Sequence, residues 1–192
     1  MGASPKFITT EELGRLARWM RLLGFDCVFF DRAKKKDLII ESLREGRIIL
    51  TRDSRLSRFS GVRMVHIESD FVREQLAQVM KILRLKVDRK SMFTRCVECN
   101  RPTEEVKKDK VKEKVPPFVY KVREEFMRCP GCEKIYWKGT HWDLANKFLD
   151  GIDENVIARS AEGATKQSRP RLLRRPKLRT RPPRNDVFVY PV

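Results

Sequence analysis

Two sets of residues in this chain have the types and spacing to do chemistry. Cys96-Val97-Glu98-Cys99 and Cys129-Pro130-Gly131-Cys132 are C-x-x-C pairs separated by 29 residues. The two-residue spacer lets both thiolates of a pair reach one ion from a single turn. Two such turns complete a tetrahedral Cys₄ site of the kind zinc takes in zinc ribbons. Two disulfides or two redox dithiols are the competing chemistry, and paired spacing in a lysine-rich chain favours metal. Zn²⁺ held by Cys96, Cys99, Cys129 and Cys132 has no open position for substrate, so it is structural and supplies folding free energy to a small module. The second set is acidic: Glu11, Glu12, Asp37 and Asp53. Carboxylates gathered from distant parts of a chain suit Mg²⁺ or Mn²⁺, hard ions that take oxygen ligands. Ions held in that way activate water and stabilise the leaving oxygen in phosphodiester hydrolysis. Each acid also has a plainer role, with Asp37 as a helix cap, Asp53 as a turn residue, and Glu11 and Glu12 as partners of a helix dipole.

The elements that must position these residues alternate strand and helix. Lys6 to Thr9 reads as a short strand. Glu12 to Leu23 follows as a helix, with Leu13, Leu16, Ala17, Met20 and Leu23 on one stripe and Gly24 as its stop. Cys27 to Phe30 is a second strand, Asp37 to Glu45 a second helix closed by Gly46, Arg47 to Thr51 a third strand and Val62 to Ile67 a fourth. Asp70 is placed to cap a last helix with Leu76, Val79, Met80 and Leu83 on its apolar side. This pattern predicts an α/β domain with a parallel sheet covered by helices. Ligands of such sheets sit at the carboxyl ends of the strands, where Glu11, Glu12 and Asp53 fall and where Asp37 opens the second helix. By strand alternation Glu11 faces away from that edge, and Glu12 turns toward it if the helix begins there. Cys27 and His66 read as core residues of their strands.

The composition bounds the rest. A chain of 192 residues, 41% hydrophobic, holds one globular domain plus the ribbon and a tail. No apolar run is long enough to span a bilayer and no signal-peptide core is present, so the expectation is a soluble, cytoplasmic protein with no membrane partner. The net charge of +17 calls for a polyanionic partner. Over half of it lies between Arg159 and Arg184, where ten Lys/Arg face one acid for a net of +9. That Arg/Pro-rich tract, within a tail over 151–192, is expected to be disordered. Between the cysteine pairs, lysines interleave with acids and read as a solvated segment. Tyr136, Trp137, His141 and Trp142 follow the last cysteine, placed either to cover the ribbon or to stack on unpaired bases.

The opening block Lys6-Phe7-Ile8…Leu13-Gly14-Arg15-Leu16-Ala17-Arg18-Trp19-Met20-Arg21-Leu22-Leu23-Gly24-Phe25 resembles the Mut-seven C-terminal ribonuclease domain family. Gly46-Arg47-Ile48-Ile49-Leu50-Thr51-Arg52-Asp53, Arg95-Cys96-Val97-Glu98-Cys99-Asn100, Val115-Pro116-Pro117, Arg128-Cys129-Pro130-Gly131-Cys132 and Ile135-Tyr136-Trp137-Lys138-Gly139-Thr140-His141-Trp142 continue the likeness in order. The resemblance implies a PIN-like ribonuclease domain over about 5–88 and a zinc ribbon over about 91–148. It further implies metal-dependent cleavage of RNA, with Asp37 and Asp53 at acidic positions that hold Mg²⁺ or Mn²⁺. The departure is Thr10, which stands where the family usually has an aspartate. Weakened activity follows from it, restored by Thr10→Asp. Arg15, Arg18, Arg52 and Trp142 are the candidate RNA contacts. The competing function is a non-catalytic RNA-binding protein with a zinc ribbon; a third is a ribosome- or polymerase-associated ribbon protein.

The basic tract gives an expectation that rests on sequence alone. Deleting residues 159–192 should weaken binding of single-stranded RNA and flatten its salt dependence, since phosphate neutralisation sets that slope. Affinity and slope that both survive the deletion would place the phosphate contacts on the rest of the chain.

Overall fold

The computed structural model describes residues 4–31, 34–139, 142–143 and 145–151. Four strands, β1 (Phe7–Thr9), β2 (Cys27–Phe29), β3 (Ile48–Thr51) and β4 (Met64–His66), form one parallel sheet in the order β2-β1-β3-β4. Chain order reverses between β1 and β3, since the chain leaves β1 for β2 on one side and enters β3 on the other. β1 and β3 are buried along their whole length, as both faces are covered. On one face Ile8 and Ile49 meet Leu38 and Ile39 of α2 (Lys35–Glu45), with Leu56 and Phe30 closing the cluster. α1 (Gly14–Leu22) packs on α3 (Val72–Leu83), and Leu16, Met20, Leu76 and Val79 of these helices are fully buried. The strand-and-helix alternation of the sequence is therefore an α/β fold with a parallel four-stranded sheet flanked by helices.

Local details depart from the sequence pattern. A 3-10 turn, Glu11–Leu13, precedes α1, so the helix proper starts two residues later than its apolar stripe suggests. α2 starts two residues early, which puts Asp37 inside its first turn instead of at its cap. α3 begins after Phe71, and Asp70 is ion-paired to Arg52 rather than capping it. His66 is exposed at the end of β4, not in the core, because that edge strand alternates and its partly covered faces bury Val65. Cys27 is fully buried, and burial pushes its thiol up to about 12.

The second half of the unit carries the cysteines. β5 (Glu104–Val106), β6 (Phe126–Arg128) and β7 (Ile135–Trp137) form an antiparallel sheet in that order. The charged segment between the cysteine pairs is folded, with a short 3-10 turn and α4 (Pro117–Val122), where Pro117 takes the first helical turn that tolerates it. Val111, Val115 and Phe126 form a small core there, and Trp137 packs against it. Trp137 thus covers this small core together with Val106, Val119, Tyr120 and Ile135. The described residues up to Lys138 make one compact unit, and the described residues from Gly139 to Gly151, Trp142 among them, belong to a second. The basic tract of 159–184, His141 and the closing Val187–Tyr190 lie outside the described residues.

Several side chains join the cysteine-bearing segment to the first half of the unit, and the most buried is an arginine. Arg21, on the last turn of α1, is 5% exposed. Its Nε donates to the Cys27 carbonyl at 2.8 Å, and its Nη1 to the carbonyls of Val97 at 2.8 Å and Glu98 at 2.5 Å. Asn100 adds two bonds beside it, accepting from the Cys27 N–H at 3.0 Å and donating to Asp26 at 2.7 Å. Asp26 also takes the Arg47 guanidinium at 2.7 Å; burial works to raise its pKa, but Arg47 and Asn100 hold the carboxyl below its usual range. At Gly24 (φ +90°) the backbone of Ser91 crosses so closely that a Cβ would lie 2.3 Å from its carbonyl oxygen.

Arg21 should therefore be expensive to replace. Hydrogen bonds to a charged group contribute about 1.5–3 kcal/mol each, and buried acceptors left bare add their own cost. Arg21→Leu should lower stability by about 3 kcal/mol or more in a denaturant titration. Arg21→Lys should recover little, since an ammonium lacks the planar fork. A midpoint unchanged in both variants would show that the three carbonyls have other partners.

Candidate active site and metal centre

The four cysteine sulfurs all lie within 4.8 Å of one another. Cys96 and Cys132 are 3.5 Å apart and Cys99 and Cys129 3.3 Å, far longer than the roughly 2.05 Å of a disulfide. A tetrahedral zinc with thiolates at about 2.3 Å sets its sulfurs about 3.8 Å apart, so the cluster has the right size. Backbone geometry repeats at both pairs. Cys96 N–H donates to the Arg101 carbonyl and Cys129 N–H to that of Lys134, each five residues on. Asn100 and Glu133, next after each pair, both take a positive φ and return an N–H to the first cysteine's carbonyl. Those turns aim N–H groups at sulfur, from Cys99 to Cys96 at 3.4 Å and from Gly131 to Cys129 at 3.4 Å.

The thiols themselves need a cation. Burial opposes ionisation of Cys96, yet the Tyr136 hydroxyl at 3.1 Å and the Cys99 N–H bring its pKa down to about 7. Burial and the neighbouring Cys96 push Cys132 up to about 12 and raise Cys99 as well. Four sulfurs this close cannot all ionise without a positive charge among them, and a bound dication removes that conflict. The cluster can hold a zinc-like metal.

The second candidate is a cleft of about 520 Å³ at the carboxyl ends of β1 and β3, where strand order reverses. Glu11, Glu12, Arg52 and Asp53 line it together with Thr10 and Lys35. The 3-10 turn swings Glu12 over the strand ends. Its Oε1 accepts from Thr10 Oγ1 at 2.6 Å, from Arg52 N–H at 3.0 Å and from Thr51 Oγ1 at 3.5 Å. Burial tends to raise the Glu12 carboxyl, but the bonds from Thr10 and Arg52 outweigh it and leave the pKa lowered. Asp53 lies on the other side, its N–H bonded to Thr51 Oγ1 at 3.0 Å. Arg55 grips its carboxylate through Nε to Oδ1 at 2.9 Å and Nη2 to Oδ2 at 3.2 Å, and Lys35 pairs with Oδ2 as well. Arg55 first, then Lys35, hold the Asp53 carboxyl well below the usual range.

The other expected site residues lie elsewhere. Asp37 is half-buried on α2 and does not line the cleft. Arg15 is exposed on α1, and Arg18 pairs with Glu98 at 3.4 Å beside the first cysteine pair. Trp142 is half-buried in the second unit. Lys35 and Arg55 are cleft residues the sequence did not single out, and Thr51, buried behind the wall, bonds to Glu12 and to the Asp53 N–H. Lys35 sits in a run of three lysines, and nothing in the spacing of Lys35 or Arg55 marks either as a partner of Asp53.

A model of the Mut7-C RNAse domain family matches residues 5–149, three quarters of the chain. The chain belongs to this family. The match runs through both the parallel sheet and the cysteine pairs, so the family's domain takes in both candidate sites. Membership implies an RNase-type function and an RNA substrate. The comparison with curated proteins and that with solved structures each return no match. Among the described residues, no helix is long and apolar enough to cross a membrane.

The purified protein should carry close to one zinc per chain by elemental analysis. Strong chelation should unfold more than the ribbon. The sequence suggests an independent α/β body, but Arg21 would lose two of its three acceptors with the first knuckle. A chelated protein whose α/β helicity and thermal midpoint are unchanged would show that the halves are uncoupled, and thiols found paired as disulfides without metal would remove the site.

Proposed function

We propose that the chain is a metal-dependent ribonuclease acting at the cleft between the ends of β1 and β3. A PIN-like body over about 5–88 carries the chemistry, the ribbon over about 91–148 holds structural Zn²⁺, and 151–192 is a basic tail. The observation that carries this reading is the pair Glu12 and Asp53, held by Thr10, Thr51 and Arg52 at the point where strand order reverses. Mg²⁺ is commonly held by one or two carboxylates with waters and substrate phosphate completing its shell, and the hydroxyl-rich oxygen donor set here fits that demand. Glu12 and Asp53 would hold Mg²⁺ or Mn²⁺, which supplies an activated water for attack on the phosphodiester. Lys35, Arg52 and Arg55 line the same cleft; Lys35 and Arg55, which hold Asp53 here, would turn to the phosphate as the metal takes over that carboxylate. Asp37, in the first turn of α2, has no part in this reading beyond the helix dipole.

Thr10 takes a different meaning from the one its identity suggests. Its hydroxyl donates to Glu12, so the carboxylate missing at the end of β1 is supplied two residues later and Thr10 orients it. Thr10→Asp would set two like charges against each other, which disfavours ionisation of both. The test is cleavage of labelled single-stranded RNA across a Mn²⁺ titration. Glu12→Gln and Asp53→Asn should each lower the rate by at least about tenfold, the smallest loss seen even for groups that only orient a ligand. Thr10→Asp alone should not raise it, and Thr10→Asp with Glu12→Gln should recover part of it. Parental rates in all four variants would move the site elsewhere. RNA binding without cleavage in the parent would favour the non-catalytic RNA-binding protein.

A further inference from the structure

We infer that Phe71 is a stacking platform for an unpaired base, which makes single-stranded RNA the substrate class of the cleft; the inference rests on the RNA-cleaving reading above. Phe71 is 70% exposed, a large apolar ring left in water; Phe118 is as exposed but sits on α4, whereas Phe71 follows the residue that is ion-paired to the cleft's Arg52. Its place is the carboxyl-end edge of the sheet. β4 lies beside β3 with His66 paired to Thr51, and the Ile67 N–H donates to the Thr51 carbonyl at 2.8 Å. The chain reaches Phe71 four residues later. Its neighbour Asp70 is ion-paired to Arg52, the cleft residue whose N–H holds Glu12. The ring thus stands one residue from a contact to the cleft wall.

The segment carrying it is braced. Phe71 N–H donates to Ser69 Oγ at 3.0 Å, and that hydroxyl donates to Glu74 at 2.6 Å. Gln75, nearly buried, donates to the Ser69 carbonyl at 2.8 Å. Gln78 holds the His66 carbonyl at 2.9 Å and accepts from the Glu68 N–H at 3.2 Å. Side chains of α3 therefore fix the backbone from His66 to Phe71, while among the described residues the ring has no aromatic or cation partner. A ring presented on a rigid segment gains from stacking without an ordering cost for the loop. A nucleobase offers the matching π-face, and only an unpaired base has that face open, since duplex RNA stacks its bases on each other. A phosphate-binding cleft beside one exposed aromatic is the combination used to track single strands.

The full chain can be tested without added Mg²⁺ or Mn²⁺, using fluorescence anisotropy with a 12-nucleotide oligouridylate and a 12-base-pair RNA duplex. Phe71→Ala should weaken binding of the single strand by about tenfold, within what loss of one base–aromatic stack produces. Phe71→Trp should bind as well as the parent or better, Phe71→Leu should bind as weakly as the alanine variant, and duplex affinity should not change. The thermal midpoint should be the same throughout, because the ring contributes no core. Equal affinity of parent, alanine and tryptophan variants for the single strand, with cleavage intact, overturns the stacking role alone. So does a leucine variant that binds like the parent, which would mean an apolar contact without stacking. Loss of binding to anionic phosphatidylserine vesicles in Phe71→Ala, with RNA binding intact, reassigns the ring to a membrane surface. Absence of both RNA binding and cleavage in the parent overturns the platform and the ribonuclease reading together.

Discussion

The buried guanidinium of Arg21 is the constraint on which the arrangement of this molecule depends. It takes one carbonyl from the start of β2 and two from the first cysteine turn, three acceptors from segments about seventy residues apart in sequence. Burying a cation is tolerable only when it is fully hydrogen-bonded, so the position of each segment is fixed by the need of the others. The helix that carries Arg21 begins at the turn that carries Glu12. A nine-residue helix is about 14 Å long, so one rigid element has the first cysteine turn at its end and the carboxylate-bearing cleft at its start.

The cleft is not an acid cluster in the simple sense. Glu12 is stabilised by neutral donors, the Thr10 hydroxyl and the Arg52 N–H, and among the described residues no cation pairs with it. Asp53 is the opposite case, neutralised by Lys35 and Arg55. The two carboxylates therefore present one free charge and one charge exchanged with cations that face the same space. Such a balance accommodates a polyanion more readily than four clustered acids would, since the cations are already in place at the wall.

Much of the fold was legible because its signals are local and strong. The strand-helix alternation, the glycine stops at Gly24 and Gly46 and the C-x-x-C spacing each follow from short-range chemistry, and each is realised. The cleft was legible only in outline. Glu12 and Asp53 were named from their place at strand ends, but Asp37 carried the same signal and lies in the first turn of α2, outside the lining that Lys35 and Leu38 of that helix reach. Lys35 and Arg21 illustrate the other limit. Composition shows a charged side chain and says nothing of its partners, and both partners here come from distant segments. The interior of the segment between the cysteines was hidden for a related reason, as Val111, Val115 and Phe126 bury one another only after the two pairs converge.

Gly24 carries a consequence for chains other than this one. Two backbones touch there with no room for a side chain, and one belongs to the linker that leads to the first cysteine pair. A glycine at that place is thus a readable sign, in sequence alone, that the linker crosses the end of the first helix. Where a homologous chain keeps both cysteine pairs but has a larger residue at this crossing, the linker must take another path. A single letter then distinguishes a cysteine module seated on its sheet from one merely tethered to it.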